Sequence, residues 1–166
     1  MSLWYYVSVS VHVLAAMLWI GGMLFLAVVG APVLRAIEPA ALRQQMFDRL
    51  GRRFRAAGWT AVVVAVVTGL ANMHFRGWLH WSGVLDSPAF WTSRQGAALG
   101  IKLAFVAVML GVEAYHDFVI GPAAGRLVPG SPDALAVRAR ATMLARVAGV
   151  CGLVVVCAAV VAARGG

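Results

Sequence analysis

The sequence predicts an all-α integral membrane protein, an antiparallel bundle of four transmembrane helices with the N-terminal and C-terminal ends both on the outer side. Three observations carry that prediction. Hydrophobic residues make up 62% of the 166 and charged residues 12%, with a mean hydropathy of +0.86, a balance that excludes an ordinary soluble domain. Four apolar runs, at 3–29, 56–75, 96–115 and 143–163, each reach the length of about 20 residues that a bilayer demands. The arginines are distributed in alternation. Arg35, Arg43, Arg49, Arg52, Arg53 and Arg55 lie between the first two runs, and Arg126, Arg138, Arg140 and Arg146 lie before or at the start of the fourth. The connection between runs two and three holds only Arg76 and Arg94. Positive residues stay in the cytoplasm, so the two Arg-rich connections are assigned there. The net charge of +8 then reflects membrane orientation and not a nucleic-acid partner. Residues 1–166 read as a single four-helix domain whose first partner is the lipid bilayer.

Span one opens on Trp4, Tyr5 and Tyr6, an interfacial aromatic anchor, and closes at Pro32 and Arg35. It lacks the basic leading segment of a signal peptide, and its apolar run is too long for one. Pro39 suits the first turn of a following helix. Leu42, Met46, Leu50 and Phe54 then recur every four residues with Arg43, Arg49 and Arg53 between them. This cytoplasmic amphipathic segment between helices one and two either lies on the membrane surface or extends span two inward, against anionic headgroups.

The outer loop, 76–94, carries Trp78, His80, Trp81, Phe90 and Trp91, and reads as an interfacial lid or short re-entrant piece. Gly77, Gly83 and Pro88 argue against a long helix there. Gly121, Pro122, Gly125, Pro129, Gly130 and Pro132 predict a plain cytoplasmic loop, with Asp133 leading into span four. Glycines at Gly96-x-x-x-Gly100 and Gly149-x-x-Gly152 allow close helix approach. A unit this small has little interior of its own, which makes a homodimer an expectation. Cys151 and Cys157 stand about 240° apart around their helix, so they do not share a disulfide or a metal site.

Among the ionisable side chains within or at the ends of the apolar runs, four stand out: His12, Lys102 (the single lysine), Glu113 and His116. A charge in hydrocarbon costs about 2.5–3.5 kcal/mol on insertion scales, so such residues mark sites or pathways. Counted by depth, they fall into two layers. His12, Lys102, Thr68 or Asn72, and His74 converge in the outer third, with Ser8 one turn above His12. Imidazole ligates metals or haem iron and relays protons. Met73, His74 and His80 add soft and borderline donors of the kind copper favours. Lys102 meets an anionic partner, such as a haem propionate or a quinone oxygen, or else extends to the interface.

Nearer the inner face, Lys102, Met109, Glu113 and His116 form one stripe of span three, and His12, Trp19 and Met23 line one face of span one. Glu113-x-x-His116 has the spacing of di-metal carboxylate bundles, but those centres need further acids that no other span supplies. Glu113 and Asp117 are instead expected to pair with Arg52, Arg55 or Arg146. No phosphate-binding loop, dinucleotide fingerprint, nucleophile elbow or Cys-x-x-Cys pair occurs. The remaining chemistry is that of metal, haem, quinone or proton handling, or none.

The run from His12 through Trp19 to Gly21 and Gly22, followed by Ala31, Pro32 and Arg35, resembles the first helix of the copper resistance protein D (CopD) family. Leu50, Arg52, Arg53, Phe54 and Arg55, then Trp59, Thr68 and Gly69, resemble that family's second helix. The likeness covers roughly the first three spans. It implies a bacterial inner-membrane protein concerned with copper uptake or tolerance, working beside a periplasmic copper-binding protein. Larger members have more spans, so this chain is a minimal version.

A second outline is similar to the HemJ-type haem-binding membrane proteins, through His12, Trp19, Arg52-Arg53-Phe54, Lys102-Leu103 and Tyr115-His116. Leu24-Phe25-Leu26-Ala27 stands where that family has Tyr-Leu-Pro-Arg-Leu. This likeness implies haem b with His12 as axial ligand and Lys102 and His116 as further cofactor-binding residues. The leading expectation is therefore copper handling through an outer-leaflet site of His12, Met73, His74 and His80. A haem-b oxidoreductase linked to a quinone or porphyrin is the alternative, and a structural or assembly subunit the third reading.

Overall fold

The computed structural model describes residues 2–79, 84–128 and 130–164. Four helices are long and apolar enough to cross a bilayer: α1 (Leu3–Arg35), α2 (Ala40–Phe75), α3 (Arg94–Ala124) and α4 (Pro132–Arg164). No strand occurs among the described residues. At 1.5 Å per residue, the 36 residues of α2 extend about 54 Å, well beyond a hydrocarbon core of about 30 Å. The surplus is the amphipathic stretch, which is therefore an extension of α2 and not a separate surface helix.

Two contact series set the register. Along α1 and α2, the Tyr5 ring meets Phe75 edge-on at 6.2 Å, Ser8 Oγ donates to Thr68 O at 3.4 Å, and Phe54 packs over Gly22. The pair is antiparallel. Along α3 and α4, Gln95 Nε2 donates to Ala162 O at 3.1 Å, and the Met109 methyl lies 3.7 Å from where a Gly152 Cβ would stand. That pair is antiparallel too. The two pairs join where Ile20 of α1 packs on Gly152 of α4 and where Arg138 of α4 donates to Gln44 of α2 at 2.7 Å. The core that results is thin and shared by all four helices: Trp19, Ile20, Ala61, Val62, Met109, Cys151 and Val155. Met109 at its centre has no exposed surface.

Three stretches wind as π-helix: Met17–Gly21, Leu26–Gly30 and His116–Ile120. Two have a local cause. A proline inside a helix lacks its N–H and crowds the carbonyl four residues back, and a wider turn just before it relieves both defects. Leu26–Gly30 precedes Pro32, and His116–Ile120 precedes Pro122. This relief carries α3 through Gly121 and Pro122 to Ala124, where sequence predicted a loop. Met17–Gly21 precedes no proline, and it carries Trp19.

After α2 the chain turns sharply. Gly77 takes φ +75°, Gly77 N–H bonds to His74 O at 2.8 Å, and Trp78 N–H bonds to Met73 O at 2.9 Å, closing a Schellman motif. A 3₁₀ turn at Val84–Asp86 and a short helix at Pro88–Thr92 lead into α3. Ser93 caps α3 by accepting from Gly96 N–H at 3.1 Å. At Gly96 a Cβ would run into the Phe90 carbonyl, which is backbone and cannot rotate away. Gly96→Ala is accordingly expected to lower the thermal midpoint in detergent, at a cost of about 1–3 kcal/mol. An unchanged midpoint would contradict this packing.

Candidate functional site

The polar layer near the start of α1 is built on His12. Its Nδ1 lies 2.8 Å from Ala65 O and 3.1 Å from Thr68 Oγ1. A carbonyl only accepts, so Nδ1 carries the proton and donates. Thr68 Oγ1 in turn donates to Val64 O at 2.6 Å, which leaves its lone pairs toward the imidazole. With Nδ1 protonated, the neutral ring keeps its free lone pair on Nε2. This is how metal-ligating histidines are fixed: a backbone carbonyl holds one nitrogen, and the other is aimed at the ion. Gly69 makes room for the ring, since a Cβ there would stand 3.2 Å from His12 Cε1. Met73 is one turn beyond Gly69 on the same face of α2, and helical side chains lean toward the N-terminus, back toward that gap.

Lys102 of α3 is half-buried and close enough to act electrostatically on both the His12 ring and the Arg76 guanidinium. Arg76 Nε donates to Tyr5 Oη at 3.2 Å, and its guanidinium sits 5.1 Å from the Trp78 ring centroid. Neither Lys102 nor Arg76 forms an ion pair with a carboxylate among the described residues. Asn72 Oδ1, in the same layer of α2, is buried and accepts no hydrogen bond. This end of the bundle is thus a positive layer without a carboxylate counter-ion among the described residues.

The other predicted residues are placed as follows. His74 is exposed near the end of α2, some 200° around the helix from Asn72. His80 lies outside the described residues. His116 is about 21 Å along α3 from Lys102, beyond the Met109 layer, so it shares no site with His12. Among the described residues, no three of His, Cys, Asp or Glu gather around one point that would hold a metal ion. What the structure brings together is His12 with Thr68, Gly69, Lys102 and Ser8.

The second polar layer, toward the Arg-rich end of the bundle, centres on Asp117. It accepts from Trp59 Nε1 at 3.0 Å, pairs with Arg55 Nε at 3.6 Å, and meets His116 Nδ1 at 3.1 Å. Of the three arginines proposed from sequence, Arg55 is the one engaged. Glu113, one turn earlier on α3, has no arginine partner; the groups acting on it are Trp19, Asp117 and His116. Trp59 carries a hydrogen bond to Asp117 that the sequence did not single out, and the Trp19 N–H is buried in the same layer without closing one. For Trp19 the signal was present, because it shares a face of α1 with His12.

The family model described as Copper resistance protein D matches residues 48–162, more than half of the chain. The matched stretch runs from α2 to α4, where the sequence likeness had been placed on the first three spans, and it leaves His12 outside. An uncharacterized protein of Aquifex aeolicus (strain VF5) is 39% identical over 64 residues, covering 38% of this chain and 43% of that protein. The chain therefore spans less than half the length of that relative. No solved structure matches.

Proposed function

Because the chain belongs to the copper resistance protein D family, we propose that this multi-pass inner-membrane protein binds copper in the outer half of the bundle, with His12 Nε2 as the anchoring ligand. The observation that carries the reading is the Nδ1–H bond to Ala65 O, which orients the free nitrogen. Lys102 beside the ring disfavours a doubly charged ion, so the copper taken is Cu(I), whose softness also suits the Met73 thioether. His74, at the exposed end of α2, receives the ion first, with His80, six residues on in sequence, as a further donor. A periplasmic copper-binding protein is the matching donor. Copper here is cargo, which accords with a small donor set.

One observation favours a second reading. Lys102 and Arg76 without a carboxylate would suit an anionic cofactor, and haem b brings two propionates. The His12 nitrogen would then be an axial ligand, with Lys102 and Arg76 neutralising the propionates. The detergent-purified protein separates the two. A colourless sample that binds one Cu(I), and loses it in His12→Ala, supports copper. A Soret band lost in the same variant supports haem. A sample with neither property overturns both.

A further inference from the structure

We propose that Glu113 is a proton-binding site, loaded from the Arg-rich end of the bundle and sensed by Trp19, which gives the protein a proton-coupled step. The argument begins with an unmatched donor. The Trp19 indole is 96% buried (4% exposed), its N–H closes no hydrogen bond, and the carboxyl it interacts with is Glu113. A buried N–H without an acceptor costs about 1–3 kcal/mol. An ionised Glu113 draws that N–H strongly, as charge-assisted bonds do, and a protonated one draws it weakly. The charge on Glu113 therefore sets how firmly Trp19 is held.

The surroundings suit loading by a proton and not by a metal ion. Arg55, the charged group that α2 presents to this layer, is committed to Asp117. From α3 itself, Asp117 and His116 act on Glu113; α1 presents the untitratable Trp19, and no charged group of α4 is among those that act on it. His116 is 44% exposed while its Nδ1 is bound to Asp117, so Nε2 is the nitrogen left to take up a proton. A proton taken from water at Nε2 releases the Nδ1 proton to Asp117 Oδ1, and from there to Glu113. The net result is neutral His116 in its other tautomer, ionised Asp117 and protonated Glu113. No electron moves.

Beyond Glu113 the path is closed by Met109 and its apolar neighbours. What passes outward is a shift of Trp19. It sits in the one π-turn without a proline to cause it, and it lies seven residues, two turns, from His12 on the same face of α1. Proton binding at Glu113 and ligand binding at His12 are thereby linked through α1.

The chain contains two glutamates, Glu38 and Glu113, so Glu38→Gln protein with isotope-labelled glutamate reports on Glu113 alone in the infrared. The expected result is a labelled carboxylic-acid band that converts to carboxylate as pH rises. The Trp19 indole resonance, assigned by its loss in Trp19→Phe, should shift with the same midpoint and become pH-invariant in Glu113→Gln. A labelled band that does not titrate overturns the proton site. An indole shift that survives Glu113→Gln overturns the sensing. The link to copper rests on the copper reading and is tested in proteoliposomes. Glu113→Gln should retain Cu(I) binding while uptake loses its dependence on a pH gradient, and gradient-dependent uptake in that variant overturns the coupling. Loss of binding in His12→Ala, by contrast, tests the copper reading itself.

Discussion

Replacing His12 with alanine is expected to weaken Cu(I) binding more than about a hundredfold, measured by competition with a chelator on protein in detergent. Outer partners of a ligating histidine alone are worth about 10–100-fold in affinity, and this substitution removes the ligand together with the bond that orients it. Thr68→Val gives the graded comparison. It keeps the shape of the side chain, leaves the Ala65 carbonyl to hold Nδ1, and removes the 3.1 Å contact together with the hydroxyl's own bond to Val64 O. A loss near tenfold is expected. Binding unchanged in His12→Ala would move the copper site elsewhere.

The second large effect is on stability. Asp117→Ala removes the acceptor of Trp59 Nε1 and the partner of Arg55 in one step. Breaking one side of a buried ion pair costs about 3–5 kcal/mol. Asp117 is only 13% exposed, but Arg55 is 34% exposed and regains some solvation, so the low end of that range applies. The melting temperature in detergent should fall accordingly. Asp117→Asn retains an oxygen for the indole and should fall less. Equal melting temperatures for Asp117→Ala and the unsubstituted protein would show that the layer adds nothing to the fold.

Much of this arrangement follows from residue spacing. The four spans come from apolar run length, and matched depth placed His12 beside Thr68 and Lys102. The i, i+7 relation of His12 and Trp19 placed the indole against the α3 stripe. Two things did not follow. Gly121 and Pro122 predicted a loop because proline breaks a regular helix, yet a π-turn immediately before it lets the helix continue, and spacing rules built on 3.6 residues per turn do not contain that remedy. His74 was grouped with His12 by depth, but depth fixes only one coordinate. The 200° between His74 and Asn72 sets it on another side of α2.

The Met109 layer has an electrical consequence. A transmembrane voltage falls mainly where matter is least polarisable, and here His12, Lys102 and Arg76 lie on one side of a thin apolar band while Glu113, Asp117, His116 and Arg55 lie on the other. The field is concentrated across that band. An ion crossing it does work against nearly the full potential, about 2.3 kcal/mol per charge for each 100 mV. Traffic between the two layers would therefore be electrogenic, so its rate should change with an imposed membrane voltage.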